Sequence, residues 1–408
     1  MNTALPARYR SLVVLTLTAG SIYPMLYLRQ NFEVPLLEAL QITLTELNTA
    51  ASWLGVVFML SYAPSGWLAD RVDTKKLLVM SLAGTGLIGL YFAQLPAPIM
   101  VPWMFAAWGI TTGLTFWSAL IKEVNELAGP HRQGRFFGFL EGGRGLVEAL
   151  LATIAVVLFA RLAPSPDASS ITAMTTVIYF YASAVLIMAG LTWYWVPSES
   201  KTLRPSEQQV APISLSAGLK QIVTNPKIWL VIICVLTGYQ FLWATYSFSG
   251  YLQNHWGLTT SIAASITLAK LWTRPVGALL AGFLGDRYQT KWVLSWSLLG
   301  ASAALSAFAL LPALPSQALA LTMVMAIGLT TYSVRGLYWA VLDDCDINPQ
   351  LKGLAIGFIS LLAFTPDIYL PKLNSELVSS WPDGGGYTLY FGFIALGGIV
   401  GALAARRL

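Results

Sequence analysis

The sequence predicts an all-α integral membrane protein with about twelve transmembrane helices. Two observations lead to this fold class. Of the 408 residues, 56% are hydrophobic and only 11% are charged, whereas a water-facing surface needs roughly a quarter charged residues. The apolar residues fall in blocks of about twenty, the length that an α-helix needs to cross a hydrocarbon core about 30 Å thick, and not in the alternating runs of a membrane β-barrel.

Apolar windows bounded by proline, glycine and charged residues give the candidate spans in order. They lie near residues 11–31, 49–69, 77–94, 99–121, 136–159, 171–196, 228–250, 260–283, 292–312, 317–341, 353–370 and 386–405. The first apolar segment lacks the small-residue cleavage site of a signal peptide, so it is expected to remain in the protein as the first span.

The basic residues predict the orientation of the spans. The formal net charge is +5, but most of the 24 basic residues fall in alternate loops, which the positive-inside rule assigns to the cytoplasm. Both termini are therefore expected in the cytoplasm of a multi-pass protein of the bacterial inner membrane. The lipid bilayer is the expected surrounding, and nucleic acid is not an expected partner.

An internal repeat divides the chain in two. The segment GWLADRVDTKK at 66–76 recurs as GFLGDRYQTKW at 282–292, and the longest polar stretch, 197–227, falls between the copies. The sequence thus predicts an N-terminal six-helix bundle over 1–196, a cytoplasmic linker over 197–227 and a C-terminal six-helix bundle over 228–408.

The repeated segment resembles the signature loop of the major facilitator superfamily. The matching residues are Gly66, Asp70 and Arg71 in the first copy and Gly282, Asp286 and Arg287 in the second. The first copy departs from the usual pattern at Asp73 and Thr74. In that superfamily two bundles rock around a site near the bilayer midplane, so the resemblance implies alternating access with these loops as gates. A turn that only fixes topology is the alternative.

The charged residues within the predicted spans are the candidate binding and coupling residues. They are Arg29, Arg144, Lys270, Arg274 and Arg335, with the acidic residues Glu141, Glu148 and Asp367. A charge at mid-bilayer costs at least about 2.5 kcal/mol on insertion scales, so these side chains are expected to face the interior. The excess of basic groups predicts an anionic substrate. Pairing of Lys270 and Arg274 with Glu148 or Asp367 is the alternative.

The resemblance also says which spans face lipid. It places the third, sixth, ninth and twelfth spans against the hydrocarbon, and these spans contain no Asp, Glu, Lys or Arg. Lipid contact accounts for this absence.

The fifth span carries three of these charges on one stripe. Glu141, Arg144 and Glu148 are spaced by three and four residues beside Gly142 and Gly143, and such glycines let another backbone approach closely. A carboxylate beside an arginine in low dielectric can change protonation when its partner is drawn away. Glu141, Glu148 and Asp367 are therefore the candidates for proton coupling, with permanent salt bridges as the alternative.

A shorter resemblance lies in the first span. The run from Tyr27 through Arg29 to Phe32 is similar to a segment of the organophosphate antiporters, which implies that Tyr27 and Arg29 contact the substrate. Arg29 snorkelling to the outer interface is the alternative. That branch has a further arginine in the seventh span, where this chain has Tyr239, Gln240 and Trp243. These three side chains are candidate substrate contacts, with aromatic packing as the alternative.

These observations predict a secondary transporter of a small organic anion, such as a sugar phosphate, sugar acid or carboxylate. Proton symport and anion exchange are both expected modes, so protons or a counter-anion are partners. A proton-driven exporter of amphiphilic compounds and a membrane sensor that does not transport are the alternatives. The sequence contains no Gly-rich phosphate loop and no Cys or His cluster, so a cofactor, a metal and enzymatic activity are not expected. A monomer is expected.

Overall fold

The fold is helical in every part of the chain that the computed structural model describes. These parts are residues 7–128, 133–163, 170–198, 215–311, 316–345, 347 and 351–408, and no strand occurs in them. The predicted all-α fold class is confirmed.

The chain forms two compact units. The first contains the chain up to Glu199 together with Tyr246–Trp272 and residues 315–317. Its complete helices are α1 (Ala7–Ser21), α2 (Arg29–Leu40), α3 (Leu44–Arg71), α4 (Thr74–Phe92), α5 (Val101–Gly109), α6 (Trp117–Ala128), α7 (Gln133–Leu162), α8 (Ser170–Trp195) and α11 (Phe248–Asn254).

The second unit contains Ser200–Thr245, Thr273–Leu314 and Ala318–Leu408. Its helices are α9 (Leu215–Thr224), α10 (Pro226–Tyr246), α13 (Thr290–Leu310), α14 (Gln317–Leu337), α15 (Lys352–Ala363), α16 (Pro366–Ser380) and α17 (Gly385–Arg406). Helix α12 (Thr260–Tyr288) contributes its first part to the first unit and its second part to the other. The division into two homologous six-helix bundles stays a prediction.

Nine helical segments among the described residues are long and apolar enough to cross a membrane. They are Thr74–Phe92, Pro98–Val124, Phe139–Leu162, Ser170–Trp195, Pro226–Tyr246, Thr290–Leu310, Gln317–Leu342, Leu354–Ser380 and Gly385–Arg406. The predicted first, second and eighth spans fall on α1 with α2, on α3 and on α12. Helix α1 has 15 residues and α2 has 12, so both are shorter than a membrane-spanning helix, and α3 and α12 do not reach the same apolarity. The count of twelve therefore stays a prediction.

The first predicted span is broken in its middle. Helix α1 ends at Ser21 and α2 begins at Arg29, with turns at 22–28 that contain Pro24. Proline has no backbone N–H and disfavours helix in the residue before it, which explains the interruption. Phe32 adds a second kink, with φ −133° and ψ 41° inside α2. The break places the Arg29 side chain at the start of a new helix.

The fourth predicted span contains a π-helical turn. Helix α5 continues through Ile110–Leu114 with π geometry before α6 begins at Trp117. A π turn inserts a residue and disturbs the carbonyls of the normal helical ladder. Ser81 of α4 donates its hydroxyl to the carbonyl of Thr111, and the hydroxyls of Thr85 and Thr111 lie 2.7 Å apart. The hydroxyl of Ser81 therefore satisfies one backbone carbonyl at the turn.

Glycine permits a close approach between α1 and α7. A Cβ on Gly143 would lie 2.4 Å from Cγ2 of Thr16, whereas a Cβ on Gly142 would have nothing within 4 Å. At Gly143 a side chain of α1 occupies the space that a Cβ would need, so the approach of another backbone stays a prediction there, and it is wrong for Gly142.

The four helices predicted to face lipid expose large apolar side chains. Met80 on α4, Tyr194 on α8, Trp296 on α13 and Leu396 on α17 are all more than half exposed. Such side chains suit a hydrocarbon environment and no aqueous one. The surface of these helices agrees with the predicted lipid contact.

Candidate functional site

A buried arginine cluster lies at the start of α2 in the first unit. Arg29 is 4% exposed, and its Nη2 lies 2.6 Å from Oε2 of Glu33, which is 1% exposed. The guanidinium also donates to the Asn48 side chain on α3 and, at 3.4 Å, to the hydroxyl of Ser247. We call Arg29, Glu33, Asn48 and Ser247 the arginine cluster. Protein encloses the guanidinium of Arg29, so this side chain does not extend to the outer interface as the snorkelling alternative requires.

Proline chemistry explains a neighbouring contact. Pro35 lies inside α2 and lacks the N–H that would bond to the carbonyl of Asn31 one turn earlier. That carbonyl instead accepts a hydrogen bond of 3.0 Å from the hydroxyl of Ser249. The Tyr27 ring stacks on Tyr246 with centroids 4.9 Å apart. The segment 27–33 is therefore fixed to the chain at 246–249.

Glu33 is the residue that the sequence analysis missed. The predicted first span ends at residue 31 and does not include Glu33, but α2 continues to Leu40 and buries this residue. The signal was present, because Arg29 and Glu33 are spaced i, i+4, the spacing at which opposite charges meet on a helix.

A second basic group of the first unit lies among aromatic rings. The guanidinium carbon of Arg144 is 5.4 Å from the ring centroids of both Tyr23 and Trp117. Its Nη1 lies 3.3 Å from Oε1 of Glu141, whose side chain is about half exposed. The predicted stripe on the fifth span thus forms an i, i+3 ion pair with the cation held against π faces.

Lys270 is fully buried in the first part of α12. Its Nζ lies 6.0 Å from the ring centroid of Phe248, and its charge interacts with the carboxylate of Glu148 on α7. This electrostatic interaction fits the alternative in which an internal carboxylate balances Lys270.

A buried carboxylate organises the second unit. Oδ1 of Asp367, a residue 4% exposed, accepts hydrogen bonds from the Tyr239 hydroxyl and from Nε1 of Trp243, each at 2.7 Å. The charge of Arg335 on α14 also acts on it. We call Tyr239, Trp243 and Asp367 the aspartate cluster. The predicted face of α10 therefore directs both aromatic side chains to one carboxylate oxygen.

The break between α15 and α16 positions this carboxylate. Helix α15 ends at Ala363, α16 begins at Pro366, and Asp367 lies in its first turn. The N-terminus of a helix carries a partial positive charge that favours an anion. Pro366 suits this position because the first helical N–H has no helical partner.

Gln240 follows Tyr239 of this cluster in the sequence, and its side chain is buried. Its Nε2 donates to the hydroxyl of Tyr369 at 2.5 Å. Its Oε1 is buried and accepts no hydrogen bond from any of the described residues. A buried amide oxygen normally has a donor, so this atom is able to accept one from a ligand or a water.

The second part of α12 carries Arg274. Its guanidinium carbon lies 5.8 Å from the ring centroid of Tyr332 on α14. Arg274 and Arg335 are both partly buried, and both belong to the second unit.

The predicted gating loops are short turns between helices. Helix α3 ends at Arg71 and α4 begins at Thr74, with Asp73 as the N-cap that accepts from the backbone N–H of Lys75 at 3.0 Å. Lys122 donates at 2.7 Å to the carbonyl of Ala69 near the end of α3. Asp73, the residue at which this loop departs from the usual pattern, thus serves as a helix cap.

The remaining loop residues are placed only in part. Gly66 and Gly282 both have open space where a Cβ would be, and Arg71 and Arg287 are exposed. The side chains of Asp70 and Asp286 lie outside the described part of the structure. The gating role of these residues stays a prediction.

The described residues contain no group of three or more His, Cys, Asp or Glu side chains that could hold a metal ion. The two cysteines, Cys234 and Cys345, are buried thiols.

Comparison with known proteins decides the family. A sequence profile of the Major Facilitator Superfamily matches residues 11–368. The chain belongs to the major facilitator superfamily. It is therefore a multi-pass membrane protein of a transporter family, and the resemblance seen in the signature loops is confirmed.

The chain is related to two inner membrane proteins of a bacterium. It is 28% identical over 386 residues to the inner membrane protein YqcE of Escherichia coli (strain K12), covering 92% of this chain and 88% of the relative. It is 24% identical over 405 residues to the inner membrane protein YihN of the same organism, covering 97% and 94%.

Solved structures agree with this major facilitator fold. A mutant of the nucleoside transporter NupG superposes with a TM-score of 0.76 at 15% identity, covering 98% of this chain and 99% of the other. A bacterial homolog of the human lysosomal transporter Spinster gives a TM-score of 0.70 at 14% identity, covering 99% and 96%. Identities this low establish the fold and do not transfer a substrate.

Proposed function

We propose that this major facilitator protein is a secondary transporter of the bacterial inner membrane that moves a small organic anion together with a proton. The anion would be bound by Arg274 and Arg335, with Tyr239, Gln240 and Trp243 as further contacts. Asp367 would carry the proton. Anion exchange in place of proton symport is the other mode that the same groups permit.

The charge balance of the second unit carries this proposal. Within its predicted spans the unit has two basic residues, Arg274 and Arg335, and one acidic residue, Asp367. Protonation of Asp367 would leave two guanidinium groups in a low-dielectric interior. An anion that enters with the proton restores the balance, so that proton and anion favour each other's binding.

The donors to Asp367 support its role as the proton carrier. Tyr239 and Trp243 are neutral, so each can donate to the carboxylate and also to the carbonyl oxygen of the protonated acid. The cluster can therefore change its charge and keep its hydrogen bonds.

In the first unit the predicted substrate contacts Tyr27, Arg29, Arg144 and Lys270 support the anion less directly. Arg29 pairs with Glu33, Arg144 with Glu141, and Lys270 interacts with Glu148. An anion would compete with these carboxylates for the cationic groups. Glu141 and Glu148 would then become able to take up a proton, which keeps them as proposed coupling groups.

The same pairing favours a second candidate function. A proton-driven exporter of amphiphilic compounds would have its charges balanced internally and would contact its substrate through aromatic side chains such as Tyr239 and Trp243. The two ion pairs of the first unit and the interaction of Lys270 with Glu148 fit this candidate.

The deciding experiment is a ligand panel on the purified protein. Glycerol 3-phosphate, glucuronate, succinate, uridine and an amphiphilic cation are tested for thermal stabilisation, since a ligand at a hundred times its Kd stabilises by about 2.7 kcal/mol. We expect stabilisation by one anion class, lost in Arg274→Gln and Arg335→Gln and kept in Lys372→Gln, an exposed control on α16.

Transport of the stabilising anion is then measured in proteoliposomes with and without an inward proton gradient. Uptake driven by the gradient supports the symport. Stabilisation by the amphiphilic cation alone, unchanged in both arginine variants, would overturn the anion proposal in favour of the exporter.

A further inference from the structure

Helix α9 lies directly before the membrane helix α10, and one residue that is not helical, Asn225, separates the two. Oδ1 of Asn225 accepts from the backbone N–H of Lys227 at 3.0 Å, and its Nδ2 donates to the carbonyl of Cys345 at 3.0 Å. Pro226 begins α10. Helix α9 is therefore a separate helix, and hydrogen bonds of Asn225 fix the point at which it joins the span α10.

The surface of α9 has three sectors. Gly218 and Ile222 are buried, and α9 packs on α15 within the second unit. Leu219 and Val223 are each 40% exposed although they are apolar. Residues on a helix advance by about 100°, so these i, i+4 pairs form adjacent stripes.

The third sector is polar. Lys220, Gln221 and Thr224 are all exposed, and they follow the apolar stripe around the helix. A helix with one face on protein, one exposed apolar face and one polar face needs three different neighbours. A membrane surface supplies the second and third together, because hydrocarbon, headgroups and water meet there.

The apolar stripe continues onto the transmembrane helix. Trp229 in the first turns of α10 is 43% exposed, and its Nε1 donates at 2.9 Å to the carbonyl of Val223. Tryptophan is enriched where membrane and water meet. The exposed side of α9 is thus continuous with the surface of a span that lipid must cover.

The charge of this region fits the same neighbour. Residues 215–229 contain Lys220 and Lys227 and no acidic residue. Lysine beside an interfacial apolar face is attracted to anionic lipid headgroups.

We propose that α9 docks on the bilayer surface where α10 begins, with Leu219, Val223 and Trp229 at the acyl boundary and Lys220 on the phosphates of anionic phospholipids. The segment between the two halves of the chain is thereby attached to the membrane. This inference does not depend on which substrate is transported.

Spin labels on the full chain test the docking. Single cysteines replace Leu219, Val223 or Gln221, and the unsubstituted protein shows whether the buried Cys234 and Cys345 react. The protein is placed in vesicles of phosphatidylcholine with phosphatidylglycerol. We expect labels at 219 and 223 to collide with oxygen, which partitions into lipid, and the label at 221 to collide with a water-soluble nickel chelate.

Two outcomes would overturn the docking. If all three labels collide mainly with the nickel chelate, α9 lies in water. If labels at 219 and 223 collide with neither reagent, protein covers the stripe, as a second copy of the chain would.

The lipid charge is tested by a matched pair of variants. Lys220→Gln is expected to lower the equilibrium constant for docking on phosphatidylglycerol vesicles about fivefold, and Lys220→Arg to leave it unchanged. In vesicles of phosphatidylcholine alone the two variants should behave alike. If Lys220→Gln and Lys220→Arg have the same docking constant on the anionic vesicles, Lys220 does not contact the lipid headgroups.

Discussion

The arginine cluster and the aspartate cluster place opposite charges at equivalent positions in a helix. Arg29 begins α2 and Asp367 lies in the first turn of α16, each after a break within a predicted span. The N-terminus of a helix favours an anion and disfavours a cation by about 0.3–1 kcal/mol. Asp367 is accordingly held by neutral donors, whereas Arg29 has the carboxylate of Glu33 at 2.6 Å.

The two clusters therefore respond differently when their carboxylate loses its charge. Removing the charge of Asp367 leaves its donors with an acceptor. Removing the charge of Glu33 leaves a guanidinium buried without its carboxylate, which is expensive in a low-dielectric interior. The arginine cluster is therefore expected to hold the structure, and the aspartate cluster to change charge during function.

The largest effect is expected from Glu33→Gln. It should lower the free energy of unfolding by about 3–5 kcal/mol, because it breaks a buried pair and leaves one charge behind. Denaturant unfolding in detergent micelles measures it. Glu38→Gln, at an exposed position of the same helix, is the control. The double variant Arg29→Gln with Glu33→Gln should recover part of the loss, and a single variant as stable as the control would remove the distinction.

A smaller loss is expected from Tyr239→Phe. The carboxylate of Asp367 then loses one of two donors, and a hydrogen bond to a charged group contributes about 1.5–3 kcal/mol. Unfolding in micelles again measures the change. Tyr288→Phe, exposed on α12 in the same unit, is the matched control. Equal stability of the two variants would mean that the hydrogen bond does not hold the carboxylate.

For Asp367→Asn we expect a stability change below about 1 kcal/mol, since the amide oxygen still accepts from both donors. Uptake driven by a proton gradient should be lost, while exchange of internal for external substrate continues. Glu376→Gln, exposed on the same helix, should keep both activities. Proton-driven uptake by Asp367→Asn would transfer the coupling role to another carboxylate.

The smallest effect concerns the start of α3, the helix that carries Asn48 of the arginine cluster. Glu46 accepts from the backbone N–H and the hydroxyl of Thr43, and these bonds lower its pKa below the usual 4.5. A lowered pKa stabilises the folded state fully above pH 4.5, and this contribution disappears as the pH falls through the folded-state pKa.

For this exposed group the contribution is a few tenths of a kcal/mol. Glu46→Gln keeps the cap without a titrating group, so its melting temperature should fall less than that of the unchanged protein between pH 6 and pH 3. Parallel melting curves over this range would contradict the assignment.

The sequence predicted the fold well because helix length and apolarity are local properties. The α-helical class and the repeated loop at Gly66 and Gly282 follow from patterns within single segments. Pairings such as Tyr239 with Asp367 join residues 128 positions apart, and neither composition nor spacing specifies which helices meet. The i, i+4 spacing of Arg29 and Glu33 predicts their ion pair. Hydropathy alone, however, sets the end of the first span at residue 31, which excludes Glu33.

Lys270 and Arg274 show the same limit. One turn of α12 separates them, so their common face was predictable. The sequence offered Glu148 and Asp367 as acidic partners, but it did not specify which partner each basic residue meets or which aromatic rings lie beside it. Lys270 meets Phe248 and the charge of Glu148, while Arg274 meets Tyr332.

The π turn at Ile110–Leu114 makes the fourth span one residue longer than a regular helix of the same height. Deleting a single residue there would let the helix close regularly and would rotate everything after it by about 100° relative to everything before it. Trp117 would then turn away from Arg144, which it now meets at 5.4 Å. A one-residue length difference at this point among related chains is thus able to redirect an interior side chain without altering the fold.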